Sequence, residues 1–220
     1  MARQKSYCVI GLGNFGATVA KSLAEHRKEV LAIDCDHEKI DRIAKHVTAA
    51  VCGDATDEAV LRAAGVQEYD CCIVCFENGI EDSAMVTLAL KEMGVREIIA
   101  RAASERHERL LRKIGADRVI FPERDAGRKL AQTVSMQDVL DYFHLSEDLV
   151  ICELATPKAW LGKSLLELGV RKNYNVNVIA CSQLGSDRFV LTSDPSFRFA
   201  PNTYVVIAGD SKSVRRLAAG

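Results

Sequence analysis

The stretch Val9-Ile-Gly-Leu-Gly-Asn-Phe-Gly16 decides the fold of this 220-residue chain. It is a G-x-G-x-x-G motif that follows a strand-like run, Tyr7 to Ile10, and opens a helical pattern. Asp34 stands at the end of the next strand-like run, where dinucleotide-binding folds place an acidic residue. The motif in this context predicts a nucleotide-binding βαβ unit, and a fold of this type that has lost its ligand is the alternative.

The glycines of the motif have separate roles in such a unit. Gly11 permits the tight turn, Gly13 lets the backbone approach a phosphate, and Gly16 allows close packing of the helix. The helix N-terminus supplies N–H donors and a partial positive charge. We expect Asp34 to accept hydrogen bonds from ribose hydroxyls, and its charge disfavours a 2′-phosphate, which makes NADP the least favoured dinucleotide.

Strand-like and helical patterns alternate up to about residue 122. The expected strands are Tyr7 to Ile10, Val30 to Asp34, Ala49 to Cys52, Cys71 to Phe76, Glu97 to Ala100 and Arg118 to Phe121. The expected helices are Thr18 to Glu25, Glu38 to Lys45, Asp57 to Ala64, Ser83 to Met93 and Ser104 to Ile114. This alternation predicts an α/β fold, a Rossmann-like doubly wound parallel sheet over residues 1–122.

The pattern changes between residues 123 and 145. Two apolar faces at helical spacing are out of phase with one another, and they consist of Leu130, Ala131 and Val134, then Val139, Leu140 and Phe143. Two crossover helices joined by a tight turn are predicted, with a single last helix and a linker as the alternative. Residues 146–220 hold four further strand-like runs separated by turn residues, which predicts a second, smaller α/β domain.

The charge balance and the cysteines limit the classes of function. Lys and Arg number 29 against 30 Asp and Glu, so no global field attracts nucleic acid or an anionic membrane. The longest apolar stretch, Cys71 to Phe76, is far too short to span a bilayer. Eight cysteines without a disulfide-framework spacing fit a reducing cytoplasm, and Cys72 and Cys75 are expected on opposite faces of a buried strand.

Further polar residues follow the predicted strands at their carboxyl ends, where an open parallel sheet binds its ligand. They are Asp36, the segment Gly53-Asp54-Ala55-Thr56, and the pair Glu77-Asn78. Asp54 has two interpretations, because it could contact the ligand or cap the next helix.

No catalytic constellation is evident in the sequence. The five histidines are expected on solvated surfaces, and the second domain has no acid–base group beside a substrate pocket. A nucleotide site without chemistry suggests a sensor rather than an enzyme. An NAD-dependent oxidoreductase with a small substrate domain is the alternative, and a redox-sensing repressor would need a helix-turn-helix segment that we do not find.

Five segments together carry a family resemblance. They are the glycine motif, Leu31-Ala-Ile-Asp34, Gly53-Asp-Ala-Thr-Asp57, Lys113-Ile-Gly-Ala-Asp117 and Phe121-Pro-Glu-Arg-Asp125. They resemble the RCK domains of bacterial potassium channels and transporters, and more specifically the KtrA and TrkA regulatory subunits. The resemblance extends to the tail, where Pro201-Asn-Thr-Tyr-Val-Val-Ile-Ala-Gly209 is similar to the C-terminal RCK domain.

The resemblance implies a cytoplasmic, non-enzymatic subunit that assembles as dimers into an octameric ring. The ring docks under a membrane potassium transporter, and nucleotides bound in each Rossmann fold change its shape and so bias the gate. KtrA-like members respond to ATP and ADP, whereas TrkA-like members are associated with NAD and NADH. No nucleic-acid partner is implied.

Some positions depart from or extend the family pattern. Asn14 stands where the family usually carries an arginine for the terminal phosphate, which gives ADP, AMP or NAD more weight. The resemblance implies that Arg101 lies near the phosphates, with an exposed strand end as the alternative. Glu123 matches a position that can bind Mg²⁺ or Ca²⁺, with a salt bridge or a helix cap as the alternatives.

The resemblance also implies a second ligand. Several relatives bind cyclic di-AMP at the C-terminal dimer interface, and Arg171, Asn173 and Asn177 lie in the matching region. Polar residues of a loop that need no ligand are the alternative there. Gly11, Gly13, Asn14, Phe15, Gly16, Asp34, Asp36, Asp54, Ala55, Thr56, Glu77, Asn78 and Arg101 are the candidate nucleotide-binding residues.

Overall fold

The computed structural model describes residues 5–135, 139–146, 148–183, 186, 188–192 and 194–218. The chain divides into two compact units, Met1–Arg124 and Asp125–Gly220, here called the N-terminal and C-terminal units. None of the helices in the described segments is both long enough and apolar enough to cross a bilayer.

The N-terminal unit is a six-stranded parallel sheet in the order β3-β2-β1-β4-β5-β6. Its strands are β1 (Ser6–Ile10), β2 (Glu29–Asp34), β3 (Ala49–Cys52), β4 (Cys71–Val74), β5 (Ile98–Arg101) and β6 (Arg118–Ile120). Its helices are α1 (Asn14–Glu25), α2 (His37–Ile43), α3 (Glu58–Ala63), α4 (Ile80–Glu92) and α5 (Glu105–Lys113), with a 3₁₀ turn at Val66–Glu68. The prediction of a doubly wound sheet is confirmed. The strand order reverses at β1 and β4, which is where such sheets bind ligands.

Both faces of this sheet are buried, because helices cover each side. Cys8 and Ile10 of β1 belong to the core on one face, and Val9 belongs to the core on the other. Cys72 and Cys75 likewise lie in opposite cores, as their spacing in a strand predicts. Their C-x-x-C spacing therefore serves packing.

His107 departs from the expectation that every histidine is solvated. Its side chain is 4% exposed, and its Nδ1 accepts the backbone N–H of Ala103 at 3.2 Å. It lies in the first turn of α5, which Ser104 caps by accepting the His107 N–H. Desolvation lowers the pKa of His107, so the neutral ring is favoured in this buried turn. The sequence pattern missed it because most of the other residues of α5 are charged.

The described part of the crossover region contains one helix and one strand. Helix α6 spans Pro122–Ser135, and the predicted turn after it, residues 136–138, lies outside the described residues. The predicted second helix is wrong, because Val139–His144 is a strand, β7. Tyr142 is 3% exposed whereas its neighbour Phe143 is 50% exposed, which is the alternation of a half-buried strand.

The C-terminal unit is a five-stranded antiparallel sheet in the order β10-β9-β11-β8-β7. Its other strands are β8 (Leu149–Ala155), β9 (Val176–Gln183), β10 (Phe189–Leu191) and β11 (Thr203–Asp210). The helices are α7 (Leu165–Leu168), α8 (Val170–Tyr174) and α9 (Ser211–Ala218), with a 3₁₀ turn at Lys158–Trp160. Trp160 and Phe199 are almost fully buried and pack with ring centroids 5.2 Å apart at the centre of this core.

Candidate functional site

A pocket of about 230 Å³ opens at the carboxyl ends of the central strands of the parallel sheet. The sequence-predicted residues that line it are Gly11, Gly13, Asp34, Asp54, Ala55, Glu77 and Asn78. These residues follow β1, β2, β3 and β4, so the pocket lies where the strand order reverses. The topology therefore brings seven of the predicted residues together.

The glycines of the motif shape the mouth of this pocket. Gly11 has a φ of +90°, which L side chains rarely adopt, and a Cβ at Gly16 would overlap the carbonyl oxygen of Gly11. Gly13 is the N-cap position of α1, and as a glycine it has no side chain to cap the helix. With no acidic residue in the first turn either, α1 keeps the electrostatic character of an anion site.

Asp34 is the most constrained polar group in the pocket. Its carboxylate is 8% exposed and accepts the N–H of Leu12 at 2.6 Å and that of Asp36 at 2.9 Å. Lys39 approaches the same carboxylate, with Nζ 3.4 Å from Oδ2. A carboxylate has roughly four acceptor positions. Asp34 is therefore fixed in direction and keeps capacity for a ligand hydroxyl.

Glu77 lies over the glycine turn. Its Oε1 accepts the backbone N–H of Asn14 at 2.7 Å, and a Cβ on Gly13 would overlap its side chain. The carboxylate thus occupies the N-terminus of α1, where the sequence predicts a phosphate. Asn14 itself lies in an adjoining groove of about 420 Å³ that also includes Gly13 and Glu77.

Asp54 and Asp36 divide between ligand pocket and helix cap. Asp57, not Asp54, is the N-cap of α3. The Asp54 carboxylate lines the pocket and accepts the hydroxyl and N–H of Thr56, and these two bonds lower the pKa of Asp54. Asp36 instead caps α2 by accepting the N–H groups of Glu38 and Lys39, and it does not line the pocket.

The remaining predicted residues lie behind the pocket lining. Phe15 packs in the core beneath α1 and is half-buried. Arg101 is 8% exposed, so the alternative of an exposed strand end is wrong. Its guanidinium donates to the carbonyl oxygen of Phe76 at 2.9 Å and to the Glu123 carboxylate, and this ion pair lowers the pKa of Glu123. Glu123 therefore forms the salt bridge that was the alternative to its metal role.

The lining residues that were not predicted include Cys35 and Lys39. Lys39 lies one turn into α2, and helical side chains lean toward the N-terminus of their helix, which brings its ammonium back to Asp34. The spacing of five residues from Asp34 is the only signal in the sequence. Cys35 directly follows Asp34, and its exposure distinguishes it from the buried cysteines.

The C-terminal unit has a separate groove of about 450 Å³ between α7, α8 and β9. Arg171 and Asn177 both line it, together with Leu165, Leu166 and Val178. Asn173 does not line this groove, because its amide donates to the carbonyl oxygen of Leu168 at 2.7 Å at the end of α7. Two of the three residues predicted for a second ligand are thus brought together.

Comparison with curated proteins finds relatives that belong to potassium uptake systems. A sequence model for the TrkA-N domain matches residues 7–122. The Ktr system potassium uptake protein C of Bacillus subtilis is 41% identical over 177 residues, which are 80% of this chain and 80% of that protein. The Ktr system potassium uptake protein A of the same organism is 36% identical over 214 residues, 97% of this chain and 96% of that protein.

Two solved structures of similar fold come from longer chains. The RCK domain of GsuK superposes with a TM-score of 0.68 at 20% sequence identity, over 100% of this chain and 48% of that one. The GsuK channel bound to NAD gives the same TM-score over 99% of this chain and 40% of that one. The chain thus spans less than half of these solved chains, and at such identity the similarity establishes the fold.

Proposed function

The chain belongs to the family of Ktr potassium uptake proteins that carry a TrkA-N domain, and from that premise we propose that it is the nucleotide-sensing regulatory subunit of a bacterial potassium transporter. Within it, residues 1–122 form the nucleotide-binding domain, residues 123–145 the crossover segment and residues 146–220 the C-terminal domain. Ligand binding in the first domain changes the conformation of the assembly and so controls potassium flux.

One observation supports the nucleotide site above all others. Gly13, at the N-cap position of α1, and the fixed carboxylate of Asp34 both line one pocket. Backbone N–H groups at a helix N-terminus bind phosphate, and a carboxylate at this strand end accepts the hydroxyls of a ribose. The pocket thus fits the phosphate–ribose portion of an adenine nucleotide.

ADP is the ligand that we propose, with ATP, NAD or NADH, and AMP as competitors of the same pocket. Asn14 carries no charge for a third phosphate, and Arg101 is engaged by Glu123 and Phe76. A diphosphate therefore fits the available donors better than a triphosphate. A divalent cation, Mg²⁺ or Ca²⁺, would reach Glu123 only in competition with the Arg101 guanidinium.

Glu77 provides a way for nucleotide binding to change the conformation of the protein. A phosphate at the N-terminus of α1 has to displace the carboxylate from the Asn14 N–H. Glu77 lies in the segment that joins β4 to α4. Its displacement by a ligand would therefore move this segment and so affect α4. A ligand shifts a gate only through its difference in affinity for the two states, and the displaced segment provides one.

The groove of the C-terminal unit supports a second ligand, which we propose is cyclic di-AMP. Apolar side chains line most of it and fit a base, whereas Arg171 and Lys172 fit phosphate. Among the residues that the structure describes, no carboxylate lines this groove.

Self-assembly and a membrane partner complete the proposal. Ile80, Met85 and Leu88 of α4 are exposed, as are Leu130 and Val134 of α6, and helices with such faces suit contact with copies of the same chain. We propose dimers that assemble into an octameric ring on the cytoplasmic face of the membrane, against the pore-forming subunit of a potassium transporter.

Parallel calorimetric titrations test the proposal, with and without Mg²⁺, using ATP, ADP, AMP, NAD, NADH and cyclic di-AMP. ADP is expected to bind most tightly, with heat that disappears in Asp34→Ala. Potassium uptake in cells that express the chain with its transporter should then depend on the same residue. Binding confined to NADH, with turnover of a carbonyl substrate, would favour the oxidoreductase alternative instead.

A further inference from the structure

Two of the eight cysteines differ from the rest in their access to solvent. Cys35 is exposed and lines the nucleotide pocket, and Cys52 is half-exposed, whereas the other six are buried. Burial raises the pKa of Cys71, Cys75 and Cys152 to about 12, which suppresses their thiolates at neutral pH. Thiol chemistry in the native protein is therefore directed to Cys35 and Cys52.

The sheet also places these two cysteines beside each other. In the pairing of β2 with β3, Asp34 lies opposite Cys52, so Cys35, one residue further on, is diagonal to Cys52. The Cys52 sulfur lies 3.5 Å from the carbonyl oxygen of Cys35. Adjacent strands are about 4.8 Å apart, and disulfides join residues whose Cα atoms lie roughly 4.4–6.8 Å apart. The diagonal from Cys52 to Cys35, about 4.8 Å across and about 3.3 Å along the strands, falls within that range. Because Cys35 comes after the last residue of β2, an adjustment of the backbone there would bring its sulfur toward that of Cys52.

We propose that Cys35 is a thiol-modification site inside the nucleotide pocket, that Cys52 resolves the adduct, and that modification and nucleotide exclude each other. The reagent that modifies Cys35 is a small-molecule disulfide. The exclusion rests on the proposed nucleotide site, whereas the reaction of the two thiols does not.

The chemistry is a pair of thiol–disulfide exchanges. The Cys35 thiolate attacks one sulfur of the small-molecule disulfide, whose S–S bond breaks as the new one forms, and one small thiolate leaves. The Cys52 thiolate then attacks the Cys35 sulfur and releases the second small thiolate. The two protons of the protein thiols pass through water to the released thiolates, so two protein thiols are oxidised and one disulfide is reduced.

The exclusion follows from where Cys35 lies. A mixed disulfide places a bulky anionic group into a pocket of about 230 Å³, and a Cys35–Cys52 bond redirects the backbone between Asp34 and the α2 cap, Asp36. Bound nucleotide in turn covers the Cys35 thiol. Linkage requires these two effects to be reciprocal in free energy.

The test uses the full-length reduced protein and oxidised glutathione. Samples are quenched with an alkylating reagent, digested and mapped by mass spectrometry, with and without saturating ADP. We expect a Cys35–Cys52 disulfide as the main product, and ADP should slow its formation about tenfold, within the usual range of coupling between two sites. Calorimetry of the oxidised protein should give an ADP affinity lowered by a similar factor and restored by dithiothreitol.

Two variants separate the steps. Cys52→Ser should accumulate the mixed disulfide on Cys35 and bind ADP normally when reduced, whereas Cys35→Ser should form no adduct without denaturant. Adducts on other cysteines, or an oxidised protein with unchanged ADP affinity, would overturn the proposal. If the reduced protein bound no nucleotide, the nucleotide site and the exclusion would both fail, while the mapped disulfide would still decide whether the two thiols react as a pair.

Discussion

The pocket of the N-terminal unit and the groove of the C-terminal unit carry opposite charge. Three carboxylates, those of Asp34, Asp54 and Glu77, line the first, with Lys39 as its cation. Arg171 and Lys172 line the second, and none of the lining residues in the described part of the chain is acidic. Both sites are nevertheless proposed to bind nucleotides, which are anions.

The difference lies in where the positive charge resides. The N-terminal pocket relies on the backbone N–H groups at the start of α1. These groups are correctly positioned for a ligand only while the glycine turn keeps its conformation. The C-terminal groove presents flexible side chains, which salt screens. Backbone changes should therefore disable the first site, and single charge changes should be enough to weaken the second.

Gly16→Ala should have the largest effect. The added Cβ would overlap the carbonyl oxygen of Gly11, so α1 has to move away from β1. Overpacking of this kind costs about 3 kcal/mol, and the displaced helix should lose nucleotide binding altogether. Urea unfolding and ADP calorimetry measure both effects. The C-terminal groove should keep its affinity for cyclic di-AMP.

Gly127→Ala is the matched control for this change. Gly127 lies in α6, and a Cβ there has no neighbour within 4 Å. Alanine should leave stability unchanged or raise it by up to about 1 kcal/mol. Equal losses in Gly16→Ala and Gly127→Ala would contradict the role given to the close packing of the glycine turn.

Asp34→Asn should weaken ADP and NAD binding at least about tenfold. A hydrogen bond to a charged group contributes about 1.5–3 kcal/mol, and the neutral amide also gives up its ion contact with Lys39. Asp36→Asn is the control on the same loop, because asparagine caps helices as well as aspartate does. Calorimetry that gave equal losses for both would mean that the loop, rather than the Asp34 carboxylate, determines affinity.

The sequence predicted the N-terminal pocket well because local rules govern it. The glycine motif directly follows β1 and Asp34 ends β2, so their meeting at one edge of the sheet follows from spacing, whereas their roles toward a ligand stay predictions. Asp36 was harder, because an acidic residue after a strand serves equally as a ligand contact or as the cap of α2. Only the direction of its carboxylate separates the two.

Long-range pairing accounts for what the sequence left out. Arg101 and Glu123 lie on different elements, and nothing local to either residue indicates that they meet. The strand β7 was mistaken for a helix because Leu140 and Phe143 fit a helical face, although both are half-exposed in the structure. Residues 139–144 form a strand because they pair with β8, and the hydrophobic periodicity of a segment does not show which strand it pairs with.

Arg171→Gln should lower the affinity of the groove for cyclic di-AMP about fivefold. The lost interaction is a charge contact near the surface, worth about 1 kcal/mol, and the difference should shrink as salt rises. Arg216→Gln removes an equal charge from the same unit outside the groove and should change nothing. Calorimetric titrations at two salt concentrations measure both affinities. If the two variants lost affinity equally, the effect would come from net charge rather than from the position of Arg171.

Glu77→Gln should have an effect as small as that of Arg171→Gln but of the opposite sign, a gain in nucleotide affinity. Glutamine keeps an oxygen that can accept the Asn14 N–H, so the local contact survives while the negative charge is removed. One unit charge at about 4 Å in water contributes about 1 kcal/mol, or roughly fivefold. The gain should grow with ligand charge, from NAD to ADP to ATP, because Glu77 repels phosphate.

Glu81→Gln is the control for that last change, because Glu81 lies in the first turn of α4, is exposed and does not line the pocket. Calorimetry should find its affinities equal to those of the unchanged protein. If Glu77→Gln instead bound ADP more weakly, the carboxylate would be a ligand contact rather than a competitor of phosphate. The N-terminal pocket and the C-terminal groove would then be more alike, because side chains would contact the ligand in both.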